Sequence, residues 1–207
     1  MILASGSPRR LAILRAHGVS PTIILPAVDE TLSVDDAALP AEQVAVRLAL
    51  LKASDVAARL VSGEVFCSNC LPLTGLSQLV SGSVVLGADT LVYKEGTGIL
   101  GKPKDRADAI RMLELLRATS HQVYTGVALV DVESGREQAL CDVSTVTFSD
   151  YTRADIERFI EEDPPFDKAG SYAAQGMWAA HIESIRGDRE NVIGLPWHRI
   201  EALLQDI

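Results

Sequence analysis

A mixed α/β fold around a central twisted sheet is the architecture this sequence predicts. Three observations carry that prediction. The chain opens on a strand, a turn and a helix within its first eighteen residues. Residues 120–132 and 138–149 alternate as strands and meet at Glu133-Ser134-Gly135-Arg136, a long hairpin signal. Amphipathic helices fall between and after the strands without strict alternation, which favours an α/β or α+β sheet with flanking helices.

The opening unit is Met1-Ile2-Leu3-Ala4, then Ser5-Gly6-Ser7-Pro8-Arg9-Arg10, then a run with Leu11, Ile13 and Leu14 that stops at Gly18. Ser7 suits the N-cap and Pro8 the first helical position, where a missing N–H costs nothing. Gly6 lets the backbone turn tightly and approach a ligand. A helix N-terminus followed by two guanidiniums is suited to anions, because a guanidinium fork matches phosphate oxygens. A capped helix start with solvated arginines is the alternative for so short a motif. The strand before it and the helix after it favour an anion seat for a polyphosphate.

Residues 21–25 read as a second strand and Val28 to Leu39 as an acidic loop. Pro40 then opens an amphipathic helix with Val44, Leu48, Leu51 and Val56 on one stripe. Lys52 falls beside that stripe, where a snorkelling surface lysine is the plain alternative to a functional one. Residues 62–83 lose all periodicity and read as an irregular insertion. It carries Cys67 and Cys70, two of only three cysteines, too few ligands for a tetrahedral zinc site.

The apolar run from Ser83 to Tyr93 is broken at Gly87-Ala88-Asp89-Thr90. A carboxylate there demands a cation, a metal or strong donors, unless it merely caps a bulge. Leu100-Gly101-Lys102-Pro103 follows on the next hairpin arm. Asp105 caps a helix with Ile110, Leu113 and Leu116 inward, and Thr152 caps another that Pro164-Pro165 end. His121 and Thr125-Gly126 interrupt the first hairpin strand, His121 being a candidate base or a structural residue. A strand is expected from Ala179 to Ile185 and a closing helix from Trp197 to Leu204.

Composition narrows the function classes. The chain has 207 residues, 47% hydrophobic and 23% charged, as an ordinary globular domain does. A formal net charge of −9 argues against a nucleic-acid polymer as partner, though not against a small anion held by local cations. No apolar run is long enough for a membrane span and no signal-peptide layout opens the chain, so a cytoplasmic protein is expected.

Taken together and in order, these blocks resemble the Maf-like nucleotide pyrophosphatases. The likeness runs through Ser5–Arg10, Val28-Asp29-Glu30, Lys52, Gly87–Thr90, Gly101-Lys102-Pro103, His121–Gly126, Asp167–Gly170, Gln175-Gly176 and Asn191-Val192-Ile193-Gly194-Leu195-Pro196. It implies a single domain over 1–207 with two lobes, a fold shared with inosine triphosphate pyrophosphatases, and a cleft between the lobes. It also implies metal-dependent hydrolysis of a nucleoside triphosphate to the monophosphate and pyrophosphate. In that scheme Asp89 accepts the proton from water, and Glu30 with Asp89 ligates Mg²⁺ or Mn²⁺. Ser7, Arg10, Lys52 and Lys102 surround the phosphates, and Lys168 binds nearby, held by Asp167 or by the substrate. Arg9, Thr90 and Gln175 are the residue types of the dTTP/UTP branch rather than the 7-methyl-GTP branch. Tyr172-Ala173-Ala174-Gln175 departs from the usual Tyr-Gly-Ile-Gln. The rival class is a non-catalytic nucleotide-binding regulator of cell division, which needs no water-activating carboxylate. Assembly as a homodimer is left open.

Overall fold

The computed structural model describes residues 1–31, 39–64, 82–205 and 207. The Cys67/Cys70 pair and most of the 62–83 insertion therefore lie outside the described residues. Seven strands form one mixed sheet in the order β2-β1-β3-β5-β6-β7, with β4 also paired to β3. They are β1 (Ile2–Leu3), β2 (Thr22–Ile23), β3 (Val84–Lys94), β4 (Gly98–Leu100), β5 (Ser120–Asp131), β6 (Glu137–Phe148) and β7 (Ile182–Arg186). β1 runs parallel to β2 and β3, and all other pairings are antiparallel. The predicted hairpin is β5–β6, the longest ladder in the sheet together with β3–β5.

The helices are α1 (Pro8–Ala16), α2 (Ala41–Ser62), α3 (Arg106–Leu116), α4 (Arg153–Glu162), α5 (Arg189–Ile193) and α6 (Trp197–Leu204). Their caps follow the sequence. Ser7 Oγ accepts from Arg10 N, Asp105 from Asp108 N, and Thr152 forms a capping box with Asp155. α1 and α6 cover one face of β1, β3 and β5 through Leu14, Leu86, Val127, Leu129, Leu195 and Ile200. α2 covers the other through Ala49, Ala53, Val56, Val85, Ala128 and Val130. At the far end α3 and α4 close over Phe148, Tyr151, Phe159 and the fully buried Trp178.

α2 lies unusually close to the sheet, and glycines make that possible. A Cβ at Gly87 would run into the carbonyl oxygen of Ala49, and one at Gly126 into that of Ala45. Ala45, Ala49 and Ala53 face this seam, all fully buried. Backbone thus meets backbone where the site is built.

Two local expectations are corrected. The buried stripe of α2 runs Val44, Leu48, Lys52, Val56, with Leu51 only half-buried, because the helical repeat carries a lysine where an aliphatic side chain would stand. Residues 179–181 belong to a 3₁₀ turn, Met177–His181, and the strand starts only at Ile182. Gly6 lies outside the left-handed region, and a Cβ there would sit 3.1 Å from the tip of the exposed Leu25 side chain.

Candidate active site

A cavity of about 940 Å³ opens between the α1 turn, the middle of α2's buried face, β3, the β4–α3 loop and the 167–175 segment. All ten residues singled out by sequence line it: Ser7, Arg9, Arg10, Glu30, Lys52, Asp89, Thr90, Lys102, Lys168 and Gln175. The elements that bring them together span most of the chain.

Its centre is an ion cluster. Lys52 Nζ lies 2.6 Å from Asp89 Oδ1 and 2.9 Å from Glu30 Oε2. Lys52 is only 4% exposed and Asp89 9%, so the pair is buried while Glu30 stays accessible. The surface-lysine reading of Lys52 fails for a geometric reason. It sits one turn from Leu48 and Val56 on the face that the glycine seam presses against β3, and Asp89 is paired in register with Gly126 in that seam. Burying either charge alone would be costly; together they satisfy one another.

The opening turn is held from behind. Arg10 donates from Nε to Gly194 O at 2.9 Å, from one terminal nitrogen to Ser5 Oγ at 3.2 Å and from the other to Thr90 Oγ1 at 3.2 Å. Ser7 N in turn donates to Ser5 Oγ at 3.2 Å. Burial holds the Arg10 guanidinium below its usual pKa, with Asp89 pulling the other way. Arg10 therefore braces the turn against β3 as well as lining the cavity.

The opposite rim carries a small ion network of its own. Arg9 reaches toward Asp167 at 3.8 Å, and Lys168 Nζ donates to Asp167 Oδ1 at 2.8 Å and to Pro164 O at 3.3 Å. Lys168 thus is held by Asp167. Gln175 is exposed at the mouth. Sequence reasoning missed Lys104 and Asp29, which also line the cavity. The signal for Lys104 was its place in the same short basic loop as Lys102, between β4 and α3. Six cationic side chains (Arg9, Arg10, Lys52, Lys102, Lys104, Lys168) face four carboxylates (Asp29, Glu30, Asp89, Asp167) among the described lining residues. The cavity is locally cationic in a chain of net charge −9.

His121 is outside this cavity. It is 1% exposed, with Nε2 2.7 Å from the Tyr172 hydroxyl, and burial lowers its pKa to about 3, with the Lys94 charge adding to the effect. It supports Tyr172, which lines the cavity, and is no base. Asp142, Asp188 and His198 also cluster away from the cavity, with His198 Nδ1 3.0 Å from Asp188 Oδ2.

The Maf-like protein family matches residues 1–207. A dTTP/UTP pyrophosphatase of Symbiobacterium thermophilum is 43% identical over 205 residues, covering 99% of this chain and 92% of its own. Proteins of the same name from Acetivibrio thermocellus and Bacillus cytotoxicus are 37% and 39% identical, covering 100% and 96% of this chain and 94% and 91% of theirs. Among solved structures, a nucleoside-triphosphatase / dITP/XTP pyrophosphatase from Mycobacterium abscessus aligns with 99% of this chain and 92% of its own, at 15% identity and a TM-score of 0.44. With its whole length matched and relatives well above 30% identity, this chain belongs to the Maf-like protein family.

Proposed function

We propose that the chain hydrolyses dTTP and UTP to the nucleoside monophosphate and pyrophosphate, using the cavity described above. The observation that carries this reading is the Asp89–Lys52–Glu30 cluster, a carboxylate paired with a buried lysine inside an apolar strand and facing a cation-lined cavity. The names borne by the relatives point to the same substrates. Water attacks the α-phosphorus and gives its proton to Asp89. The new O–Pα bond forms as the Pα–O bond to the β-phosphate breaks, and pyrophosphate leaves with the electron pair. The positive end of the α1 dipole, together with Arg9, Lys102, Lys104 and Lys168, neutralises charge gathering on the bridging oxygen and the pyrophosphate. Lys52 holds Asp89 in place.

The donor set fits a divalent cation. Asp89 and Glu30 already converge on a single positive centre, Lys52 Nζ, and carboxylate oxygens are the hard ligands that Mg²⁺ or Mn²⁺ prefers. These two residues would hold it, and when bound it would supply further positive charge at the phosphate oxygens. The Asp142–Asp188–His198 group lies elsewhere and takes no part. The test is a nucleotide panel with Mg²⁺ and with Mn²⁺, reading pyrophosphate release. dTTP and UTP should be hydrolysed well, CTP and purine triphosphates poorly, and diphosphates and monophosphates not at all. Release of orthophosphate instead of pyrophosphate would defeat the assignment. Faster turnover of 7-methyl-GTP than of UTP would defeat the choice of base.

A further inference from the structure

Two of the hydrogen bonds that orient Arg10 trace back to one residue, Asn191. The first path runs through hydroxyl groups. Arg10 donates to Thr90 Oγ1 at 3.2 Å, and Thr90 on β3 and Thr125 on β5 are cross-strand partners with Oγ1 atoms 3.1 Å apart. Thr125 Oγ1 in turn lies 2.8 Å from the carbonyl oxygen of Asn191. A carbonyl only accepts and a guanidinium only donates, so the direction is Arg10 to Thr90 to Thr125 to Asn191. The second path is the backbone. Arg10 Nε donates to the carbonyl of Gly194, the C-cap of α5, the short helix that contains Asn191.

Asn191 is itself pinned to the β5–β6 hairpin. It is fully buried, and its Nδ2 donates to Val123 O on β5 at 3.1 Å and to Ser144 Oγ on β6 at 2.9 Å. Ser144 passes its own hydrogen to the carbonyl of Asp188, the N-cap of α5, at 2.9 Å. Gly194, at φ +121°, stands so close to β3 that a Cβ there would lie 3.1 Å from Thr90 Oγ1. The amide of Asn191 thus fixes α5 on the sheet, and α5 presents both acceptors on which the Arg10 contacts end.

The group being held is planar and rigid, so fixing its bonded hydrogens fixes the others. Of the five N–H hydrogens of Arg10, Gly194, Thr90 and Ser5 take three, which leaves two for an anion in the cavity that Arg10 lines. The lining includes Val192 and Ile193 but not Asn191. We propose that Asn191 is a positioning residue: without touching the substrate, it sets the plane in which Arg10 meets the phosphates of the nucleotide. This rests on the hydrolase reading above.

The experiment is a double-mutant cycle over the wild type, Asn191→Ala, Arg10→Ala and the double variant. It reads kcat/KM for UTP by pyrophosphate release and, independently of turnover, the Kd of inorganic tripolyphosphate by calorimetry. Asn191→Ala alone should lower kcat/KM by about tenfold or more and weaken tripolyphosphate binding, as a misplaced binding group does. With Arg10 already removed, the same substitution should change either quantity by no more than about twofold, because the group it orients is gone. Equal fold-losses in both backgrounds would reduce Asn191 to a structural role and overturn the proposal. Ser144→Ala, which deletes only one of the Asn191 contacts, runs the same cycle if Asn191→Ala does not fold; a smaller loss that vanishes without Arg10 is expected, and one that persists overturns the proposal. A wild type that releases no pyrophosphate from UTP would bring down the hydrolase reading, while the tripolyphosphate cycle would still decide whether Asn191 acts through Arg10.

Discussion

At the residue scale the site is governed by what it costs to bury a charge. Asp89 interrupts an apolar strand and is tolerated because Lys52 meets it at 2.6 Å. Asp89→Asn keeps a polar side chain of the same shape beside Lys52 and removes the proton acceptor. Pyrophosphate release should drop by about a hundredfold or more while triphosphate binding persists; near-normal turnover would remove Asp89 from its role. Lys52→Met leaves Asp89 buried without its cation. Breaking a buried pair in this way costs about 3–5 kcal/mol, so urea unfolding should show a large loss of stability along with the loss of activity. A stability unchanged within about 1 kcal/mol would mean that the nearby Arg10 and water already compensate Asp89. Gln175, exposed at the mouth, should affect the choice of base more than turnover. Gln175→Ala is expected to flatten the order of preference among triphosphates, read from kcat/KM across the panel.

At the scale of elements, the glycine seam decides where Lys52 can reach. Gly126 faces the backbone of α2, and a methyl group there has no flexible side chain to push aside. Gly126→Ala should force α2 away from β5 and cost about 1–3 kcal/mol, as overpacking does. Activity should fall more steeply than stability, because the shift separates Lys52 from Asp89. Paired measurements of melting temperature and kcat test this, and a melting point lowered with kcat intact would sever the seam from the site. The cross-strand register matters equally here. Asp89 opposite Gly126 and Thr90 opposite Thr125 place the charge and the hydroxyl on opposite faces of β3, since adjacent strand residues alternate. One residue of slip would exchange them.

For the whole molecule, the balance of charge and burial sets the pH response. His121 titrates near 6.5 in the unfolded chain and at about 3 in the fold, because burial disfavours its charged form. Between those values the unfolded state binds a proton that the folded state does not, so stability falls as pH drops from about 6.5 toward 3. The slope from this group approaches about 1.4 kcal/mol per pH unit. His121→Gln, which can still bond Tyr172, should flatten the stability profile by one proton's worth over that window. An unchanged slope in urea unfolding would show that the His121 contribution is absent. The net charge of −9 belongs to the whole chain while the cavity gathers cations, so an acidic protein can still hold an anionic substrate.

Local signals were legible in the chain wherever they rest on short-range chemistry. The Ser7, Asp105 and Thr152 caps, the β5–β6 hairpin and the anomalous Asp89 each depend on a few neighbouring residues, and each was readable. So was the membership of the ten site residues in one set, because their blocks follow the family's order. What tertiary structure alone decided is which of them touch. Lys52 looked like a surface lysine because a helical repeat shows only which side a residue is on, and the depth of that side depends on Gly87 and Gly126, more than thirty residues away. Arg10 looked like a free phosphate ligand until Gly194, 184 positions distant, supplied the carbonyl that anchors it. The hydroxyl direction through Thr125 was hidden for the same reason. Its cause is a backbone carbonyl at Asn191, and a backbone atom leaves no mark on the identity of the residue that carries it.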